Sequence, residues 1–291
     1  MRFGAKLRNY GARATMATVL DEARRAEDAG FDSVWLSDHV AMPDRTRSCY
    51  PYGDGGEIDW DVTEPWLEPV VLLAALAAVT SRARLGTAVL VACLREPVGL
   101  AKQLACITQL CGGRLVLGLG DGWLREELEL FGAEFGRRRE LTDRIVDVCR
   151  EVWSGVLLDP RSAGALRFHT TPVPLQEVPV LLGGASEQVL RRVASRGYGW
   201  LPLHRGQGAA AHVRDGLARI DAWRSRVSGT SGPGPQVVLN AGRAEEIADE
   251  LPALAAAGVT EVLIDGEFDV DGGPERALEL ARDASSGRAR G

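Results

Sequence analysis

The sequence predicts an α/β protein with the architecture of a (β/α)8 TIM barrel. Short apolar runs alternate with amphipathic stretches along the whole chain of 291 residues. Such alternation indicates right-handed βαβ units and therefore a parallel sheet. Eight of these units close naturally into a barrel, whereas the alternative, an open doubly wound sheet, more often has about five to seven strands. No break in composition separates two regions, so residues 1–291 are expected to form a single barrel domain.

Eight apolar runs bounded by polar residues or glycine are predicted as the strands. They span residues 2–7, 33–36, 84–91, 114–119, 180–182, 200–203, 237–240 and 261–264. The first helix, 16–29, follows from apolar residues at helical spacing and from Gly30, which ends the pattern. Prolines begin the helices at 69–80 and 97–110, a position where no backbone N–H is needed. The other helices are predicted, from the same periodicity, at 123–131, 140–153, 186–195, 209–227, 244–257 and 274–284.

Two stretches do not fit ordinary barrel connections. Residues 41–65 follow the second strand, are polar and rich in glycine, and are long enough to be a functional loop. Residues 155–178, between the fourth and fifth strands, have weak periodicity and several prolines, so we expect an excursion outside the core. Residues 228–235 are expected to form a flexible connector and 285–291 a frayed terminus.

Composition excludes several classes of partner. The chain has 34 basic and 40 acidic residues, a formal net charge of −6, so neither nucleic acid nor an anionic membrane is an expected partner. No apolar run approaches the roughly 18 residues of a membrane span, and no secretion signal is visible at the N-terminus. The five cysteines form no CxxC pair, which favours reduced thiols and a cytoplasmic location. Lysine occurs only as Lys6 and Lys102, which excludes a P-loop.

The loops that follow the strands carry the chemistry of a barrel. After the predicted fifth strand the chain reads Gly183-Gly184-Ala185-Ser186. The glycines allow a tight turn, and Ser186 can cap the next helix, whose free N–H groups and positive dipole end would face an anion such as a phosphate. A tight loop with a simple cap is the alternative, and the residues alone leave both open.

The glycine-rich run 118–122 is not a dinucleotide fingerprint, because Trp123 stands where G-x-G-x-x-G requires its third glycine. The G-x-G-x-G spacing allows a flat ring to approach the backbone closely. Close packing of strand against helix is the alternative.

His39 ends the second predicted strand directly after Asp38. A histidine there can donate a proton or a hydrogen bond to a bound ring near neutral pH, and a surface histidine at the start of a loop is the alternative. The histidines and cysteines show no metal-like spacing, and no G-x-S-x-G motif is present. We therefore expect no metal, and a hydrolase is disfavoured.

The loop 47–66 contains many of the aromatic residues. They are Tyr50, Tyr52, Trp60 and Trp66. We interpret this loop as a lid or substrate wall, with packing inside the loop as the alternative. Its charged residues include Asp54, Glu57, Asp59 and Asp61. These charges favour a neutral or basic organic small-molecule substrate.

Together these motifs resemble the bacterial luciferase-like superfamily of flavin- and F420-dependent barrel enzymes. The resemblance is carried by residues 31–39, 80–87, 97–110, 112–120, 122–123, 126–127, 183–186 and 199–200. It extends from residue 1 to about 205, while the last two strands are less distinctive. The motifs at 37–39 and 50–52 are most similar to the F420-dependent branch.

The resemblance implies an oxidoreductase that uses coenzyme F420 for hydride transfer to or from a small organic substrate, with His39 as the catalytic residue. It implies cofactor contacts from Asp38, Ala88, Val89, Gly120, Asp121, Gly183, Gly184, Ala185, Ser186, Gly199 and Trp200. It also implies a cis peptide between Ala88 and Val89 under the ring, and the phosphate at 183–186. Substrate contacts are expected from Tyr50, Tyr52 and Trp60.

Three positions depart from the family pattern, and one of them is Tyr198, where an acidic residue is common. Asp121 stands where an aliphatic or small residue is common, and Arg8 where proline is common, so Asp121 could pair with Arg8 or bind a basic substrate. Two other functions remain open: a monooxygenase that uses FMNH2 supplied by a separate flavin reductase, and a flavin-binding barrel without turnover. For an F420-dependent oxidoreductase, the corresponding partner would be an F420 reductase. A homodimer is the expected assembly.

Overall fold

Eight parallel strands follow one another around a ring in the computed structural model, which describes residues 1–58, 60–159, 166–226 and 233–286. Together with a short extra strand and a separate hairpin, the described residues form eleven strands: β1 (Arg2–Lys6), β2 (Ser33–Leu36), β3 (Arg84–Thr87), β4 (Leu90–Val91), β5 (Leu115–Gly120), β6 (Val156–Leu158), β7 (Arg167–His169), β8 (Val180–Gly183), β9 (Gly199–Leu201), β10 (Val238–Asn240) and β11 (Glu261–Asp265). The eight strands of the ring are all of these except β4, β6 and β7. Their order is β10-β11-β1-β2-β3-β5-β8-β9, with β4 pairing on β5. Parallel bridges from Trp200 to Val237 and from Leu203 to Asn240 close the ring. The (β/α)8 prediction is therefore confirmed.

Helices cover the outside of this ring. They are α1 (Met16–Ala29), α2 (Pro69–Val79), α3 (Pro97–Leu110), α4 (Arg125–Leu130), α5 (Arg138–Trp153), α6 (Glu187–Arg196), α7 (Ala209–Arg224), α8 (Ala244–Ile247), α9 (Leu251–Ala256) and α10 (Gly273–Ser285). None of the described helices is long and apolar enough to cross a membrane.

Local signals explain the helix ends that sequence analysis predicted best. Thr15 caps α1 by accepting a hydrogen bond from the N–H of Thr18, and Gly30 ends the helix with a left-handed backbone. Glu68 and Glu96 cap α2 and α3, each directly before a proline at the first helical position. A side-chain acceptor at the cap and a residue without an N–H at the next position both relieve unpaired backbone donors.

Two predicted elements are interrupted. The strand predicted at 84–91 breaks into β3 and β4 on either side of Ala88–Val89. The helix predicted at 244–257 becomes α8 and α9 with a short 3-10 turn between them. Pro252 explains this second break, because its ring cannot continue the hydrogen-bond ladder of an existing helix and is tolerated at the start of a new one.

The excursion between the fourth and fifth barrel strands contains a small antiparallel hairpin. Strands β6 and β7 pair only with each other, so this segment does stand outside the barrel sheet. Most of the predicted connector, and residues 287–291 of the predicted frayed terminus, lie outside the described residues.

The inside of the barrel is filled by its own small core. This inner core consists of Trp35, Val116, Leu181, Leu201, Val238 and Leu263, with Ala88 and Val89 packed against it. Trp35 is its largest member and is 1% exposed. Its indole N–H donates to Ser33 Oγ at 2.6 Å, and Ser33 in turn donates to the buried Glu261 carboxylate.

Gly86 lies opposite Trp35 in the β2–β3 register, and a methyl group there would lie 2.4 Å from Trp35 Cε3. We expect Gly86→Ala to destabilise the fold by about 1–3 kcal/mol, because the enclosed indole cannot move aside. Urea unfolding measures this cost. Gly136→Ala is the matched control, since a methyl group there meets nothing closer than Glu134 Oε1 at 3.8 Å. Equal stability of the two variants would contradict a rigid inner core.

Candidate active site

A cavity of about 1000 Å³ opens where the barrel strands end at their carboxyl termini. The loop 41–66 covers one side of it, and we call this loop the lid. The cavity brings together most of the residues that the sequence predicted: Asp38, His39, Tyr50, Tyr52, Trp60, Ala88, Val89, Gly120, Asp121, Gly183, Gly184, Ala185 and Ser186. Within the described ranges, no three His, Cys, Asp or Glu side chains converge as a metal site.

Gly199 and Trp200 do not line this cavity, contrary to the prediction. Gly199 borders a separate cavity of about 620 Å³ beside Tyr198. Trp200 is fully buried and lies outside the ring, where a methyl group on Gly216 of α7 would be 2.0 Å from its Cη2. Both faces of a parallel barrel strand are apolar, so the sequence does not reveal which face a residue occupies. Trp200 acts indirectly, because its indole N–H donates to the carbonyl of Gly184 at 2.8 Å.

His39 is buried and held between two partners. Its Nδ1 lies 2.7 Å from Glu127 Oε2, and its Nε2 accepts a hydrogen bond from the indole N–H of Trp123 at 3.2 Å. Since Nε2 accepts, the proton of a neutral ring is on Nδ1, where it is donated to the carboxylate. A carboxylate on one nitrogen fixes the tautomer and leaves the other nitrogen able to take up a proton.

Glu127 is the functional residue that sequence reasoning missed. It is 2% exposed, and its second oxygen accepts the N–H groups of Val40 and Ala41 at 2.6 and 3.0 Å. The carboxylate therefore fixes both the imidazole and the start of the lid. A signal was present, because Glu127 occupies the same buried face of α4 as Leu124 and Leu128. A carboxylate in an apolar stripe requires a partner inside the protein.

Asp38 lines the cavity, but its carboxylate is used inside the protein. It accepts two hydrogen bonds from the guanidinium of Arg95, at 2.7 and 3.0 Å, and one from the N–H of Val91 at 2.8 Å. Burial raises the pKa of the Asp38 carboxyl, while Arg95 and the Val91 N–H oppose that shift. The side chain therefore holds the chain beyond Ala88–Val89 in place.

The peptide between Ala88 and Val89 is cis, which confirms what the resemblance implied. Val89 lies against two glycines of neighbouring strands. A methyl group on Gly120 would be 2.4 Å from Val89 Cγ2, and one on Gly183 would be 2.7 Å from Val89 Cγ1. These glycines are required by close packing of the chain on itself, and the same backbone forms the floor of the cavity.

The segment from Gly184 to Ser186 joins β8 to α6 at the predicted phosphate site, and we call it the anion cradle. Gly184 has φ +102°, a conformation that glycine adopts without strain. Ser186 caps α6 by accepting from the N–H of Val189 at 3.4 Å. The backbone N–H groups of Ala185, Ser186 and Glu187 have no acceptor among the described residues. These donors and the positive end of the helix dipole fit a phosphate, and Arg138, Arg139 and Arg205 also line the cavity.

Asp121 pairs with a residue that the sequence analysis did not consider. Both of its oxygens bind Arg192 Nη1, at 2.9 and 2.8 Å, and Arg192 also binds Asp143. Arg8 instead pairs with Asp269, because the end of β1 lies beside β11 and far around the ring from β5. The negative charge of Asp121 is thus neutralised inside the protein. Arg192 lies on the buried face of α6 between Val189 and Val193, which again signals an internal partner.

The lid is fastened by hydrogen bonds where it joins the barrel and again within the loop. Where the lid joins the barrel, the side-chain amide of buried Asn9 donates to the carbonyls of Ser37, before the lid, and Leu67, after it. Near its middle, Glu126 accepts from the hydroxyl of Ser48 at 2.6 Å and from the N–H of Arg47 at 2.6 Å. Burial opposes ionisation of Glu126, but these hydrogen bonds outweigh it and hold the pKa of its carboxyl at about 2. The attachment at Glu126 is therefore charged across the physiological pH range.

Aromatic side chains of the lid face the cavity, as the lid hypothesis requires. Trp60, Trp66, Tyr50 and Tyr52 all line it, and Trp66 stacks on Tyr10 with a ring distance of 4.4 Å. The indole N–H groups of Trp60 and Trp66 are buried and have no acceptor within the described ranges. The aromatic residues of the lid therefore line the cavity and also pack on one another.

Comparison with known proteins extends these observations. The profile of the luciferase-like monooxygenase family matches residues 1–258. An uncharacterized protein of Mycobacterium tuberculosis is 31% identical over 255 residues, which cover 87% of this chain and 86% of that protein.

Two solved structures share the fold at low sequence identity. An F420-dependent secondary alcohol dehydrogenase, solved with an F420-acetone adduct, superposes with a TM-score of 0.73 at 16% identity and covers 97% of this chain and 99% of that one. The oxygenating constituent of 3,6-diketocamphane monooxygenase from Pseudomonas putida, solved with FMN, gives a TM-score of 0.71 at 14% identity, covering 100% and 99%. From the profile match and the mycobacterial relative, the chain belongs to the luciferase-like monooxygenase family.

Proposed function

We propose that this protein is an F420-dependent oxidoreductase that transfers hydride to or from a small organic substrate in the cavity beneath the lid. One observation carries the proposal: a single cavity is lined both by the anion cradle at Gly184–Ser186 and by His39, whose Nδ1 lies 2.7 Å from the buried Glu127 carboxylate. The anion cradle suits a phosphorylated cofactor, and His39 with Glu127 suits a reaction that moves a proton at the substrate. Family membership supports the flavin or deazaflavin class of cofactor.

The proposed binding residues divide the cofactor between the two parts of the cavity. The N–H groups of Ala185, Ser186 and Glu187 would hold the phosphate. Ala88, Val89 and Gly120 would support the ring from the cavity floor. Arg139 and Arg205 on the cavity wall are candidates for the carboxylates that the tail of F420 carries and FMN lacks.

When bound, F420 supplies or accepts hydride at the carbon that replaces N5 of a flavin, and the protein orients its ring and excludes water. His39 would accept or donate the proton that the substrate exchanges during hydride transfer. With its proton on Nδ1, the imidazole can accept a proton at Nε2 from a substrate hydroxyl, which would take the place of the Trp123 indole N–H. Glu127 remains on Nδ1 throughout and stabilises the positive charge that the ring then carries. The reverse transfer would protonate a carbonyl oxygen.

The FMNH2-dependent monooxygenase is the second candidate, favoured by the likeness to the FMN-bound monooxygenase component. In that case a separate flavin reductase must supply the reduced cofactor. A cytoplasmic location and a homodimeric assembly stay predictions from the sequence.

The first test is a direct comparison of the two cofactors. We expect F420 to bind at least about tenfold more tightly than FMN, a difference of about 1.4 kcal/mol. The added carboxylates of F420 can pair with arginines of the wall, so the preference should shrink as salt is raised. Fluorescence titration of the purified protein measures both affinities. Equal or tighter binding of FMN would favour the monooxygenase.

The second test concerns His39. We expect His39→Ala to reduce kcat by about 10²–10⁴, because a positioned proton donor or acceptor is lost, while cofactor affinity changes little. Glu127→Gln should give a smaller loss of kcat, since the ring keeps a neighbour but not a fixed tautomer. His204→Ala is the control, since His204 also follows a barrel strand yet does not line the cavity. A kcat for His39→Ala within about threefold of the parent value would remove His39 from the chemistry.

The third test places a charge in the anion cradle without disturbing the backbone. Asp and Asn cap helices as well as Ser does, so Ser186→Asp and Ser186→Asn should both melt like the parent protein. The carboxylate would repel a phosphate, so we expect Ser186→Asp, but not Ser186→Asn, to weaken binding of a phosphorylated cofactor at least about tenfold. Substitution of Gly184 is less informative, because its positive φ strains any side chain.

The matched ligand pair for this third test is FMN and riboflavin, which differ by the phosphate alone. Riboflavin affinity should be the same in both Ser186 variants. If FMN also binds both variants equally well, the phosphate is held elsewhere on the rim of the barrel.

A further inference from the structure

The lid end of the cavity is enclosed by aromatic rings that meet at steep angles. Trp60 meets Tyr50 at 87° and Trp123 at 82°, with ring centroids 5.0 and 6.4 Å apart. Trp66 meets Trp60 at 67° and 5.8 Å. Rings arranged in this way do not form a stack. They pack edge to face around the end of the cavity. We call these four residues, Tyr50, Trp60, Trp66 and Trp123, the aromatic box.

Cations of the protein itself do not occupy the faces of these tryptophans. Arginines lie over other aromatic rings of the chain, including Phe135 at 3.8 Å and Trp223 at 5.0 Å. No arginine or lysine of the described chain lies over the face of Trp60, Trp66 or Trp123. The face of an aromatic ring carries partial negative charge and attracts a cation, most strongly in tryptophan.

Carboxylic residues outnumber basic residues in the lid and on the helix behind it, while arginines such as Arg138 and Arg139 line other parts of the cavity. Glu127 is buried beside His39, and its carboxylate lies 2.7 Å from the imidazole Nδ1. Glu126, whose carboxyl pKa is about 2, borders the lid. Residues 41–66 carry six carboxylic residues and only Arg45 and Arg47 as basic ones. A positively charged group entering this end would gain from the rings and from the surrounding field.

We propose that the substrate of this site is an organic cation, a protonated or quaternary amine with an alkyl or aromatic body, whose positive group is held in the aromatic box. The inference rests on the proposed function, because it takes the cavity as the substrate site of an oxidoreductase, and it adds the chemical class of that substrate. The anion cradle at α6 attracts negative charge, whereas the aromatic box attracts positive charge. The cofactor phosphate and the cationic substrate would therefore bind in different parts of one cavity.

The test uses two probes of equal shape that differ in charge: para-(trimethylammonio)benzyl alcohol and para-tert-butylbenzyl alcohol. Calorimetric titration of the full chain without cofactor gives both affinities. We expect the cation to bind at least about tenfold more tightly, because desolvated cation–π contacts are of that size. Equal affinities, or tighter binding of the neutral alcohol, overturn the proposal without any variant.

Two double variants assign the preference to the box. Trp60→Phe/Trp66→Phe keeps aromatic faces, and we expect it to keep most of the preference. Trp60→Leu/Trp66→Leu keeps apolar bulk without those faces, and we expect its two affinities to become nearly equal. Both tryptophans lie outside the two hydrophobic cores, so melting curves should stay close to the parent curve. A preference that survives intact in the leucine variant overturns the assignment.

Trp223→Leu is the matched control, because Trp223 lies on α7 outside the cavity and already has arginines over its ring. It should leave the preference unchanged. Titration with F420 and FMN in the presence of saturating cation separates the two proposals. Failure of both cofactors to bind, with the cation preference intact, rejects the oxidoreductase alone. Normal cofactor binding without the preference rejects the cationic substrate alone.

Discussion

The cavity depends on how the inside of the barrel is filled. Trp35 is the largest side chain in that space, and a methyl group on Gly86 opposite it would overlap the indole. Ala88 and Val89 then pack on top of this inner core. Val89 in turn requires glycine at the facing positions 120 and 183. The floor of the active site is therefore the upper surface of the barrel core, and its shape follows from packing density rather than from the loops.

The sequence predicts the elements whose ends are decided locally. Helices α1 and α3 and strand β2 have the predicted bounds, because caps, prolines and Gly30 act within a few residues of the ends they set. The break in the third strand is different in kind. It follows from contacts of Ala88–Val89 with strands that lie far along the chain. The orientation of Trp200 is equally non-local, since its strand is apolar on both faces.

The site shows the same division between local and distant causes. Its members follow the strands, and that rule identifies His39 and the loop after β8 from sequence alone. What each side chain does is set by partners that are 88 residues away for His39, 57 for Asp38 and 71 for Asp121. In each case the partner is charged and largely buried. A charged residue within an apolar helical stripe indicates that it has a buried partner, but only the folded chain shows which residue that partner is.

The attachment of the lid at Glu126 determines how a ligand can enter. Because the carboxyl has a pKa of about 2, protonation does not release the lid at any pH near neutrality. Opening must instead exchange the hydrogen bonds to Arg47 and Ser48 for water, and these groups already lie near the surface. Each of these bonds is made to an ionised carboxylate, a kind that contributes about 1.5–3 kcal/mol, so the attachment holds the lid against α4. Glu127, on the same short helix, binds the Nδ1 of His39 in the interior. Adjacent carboxylates on α4 therefore have different partners, because Glu126 binds the lid at Arg47 and Ser48 and Glu127 binds the imidazole and the start of the lid.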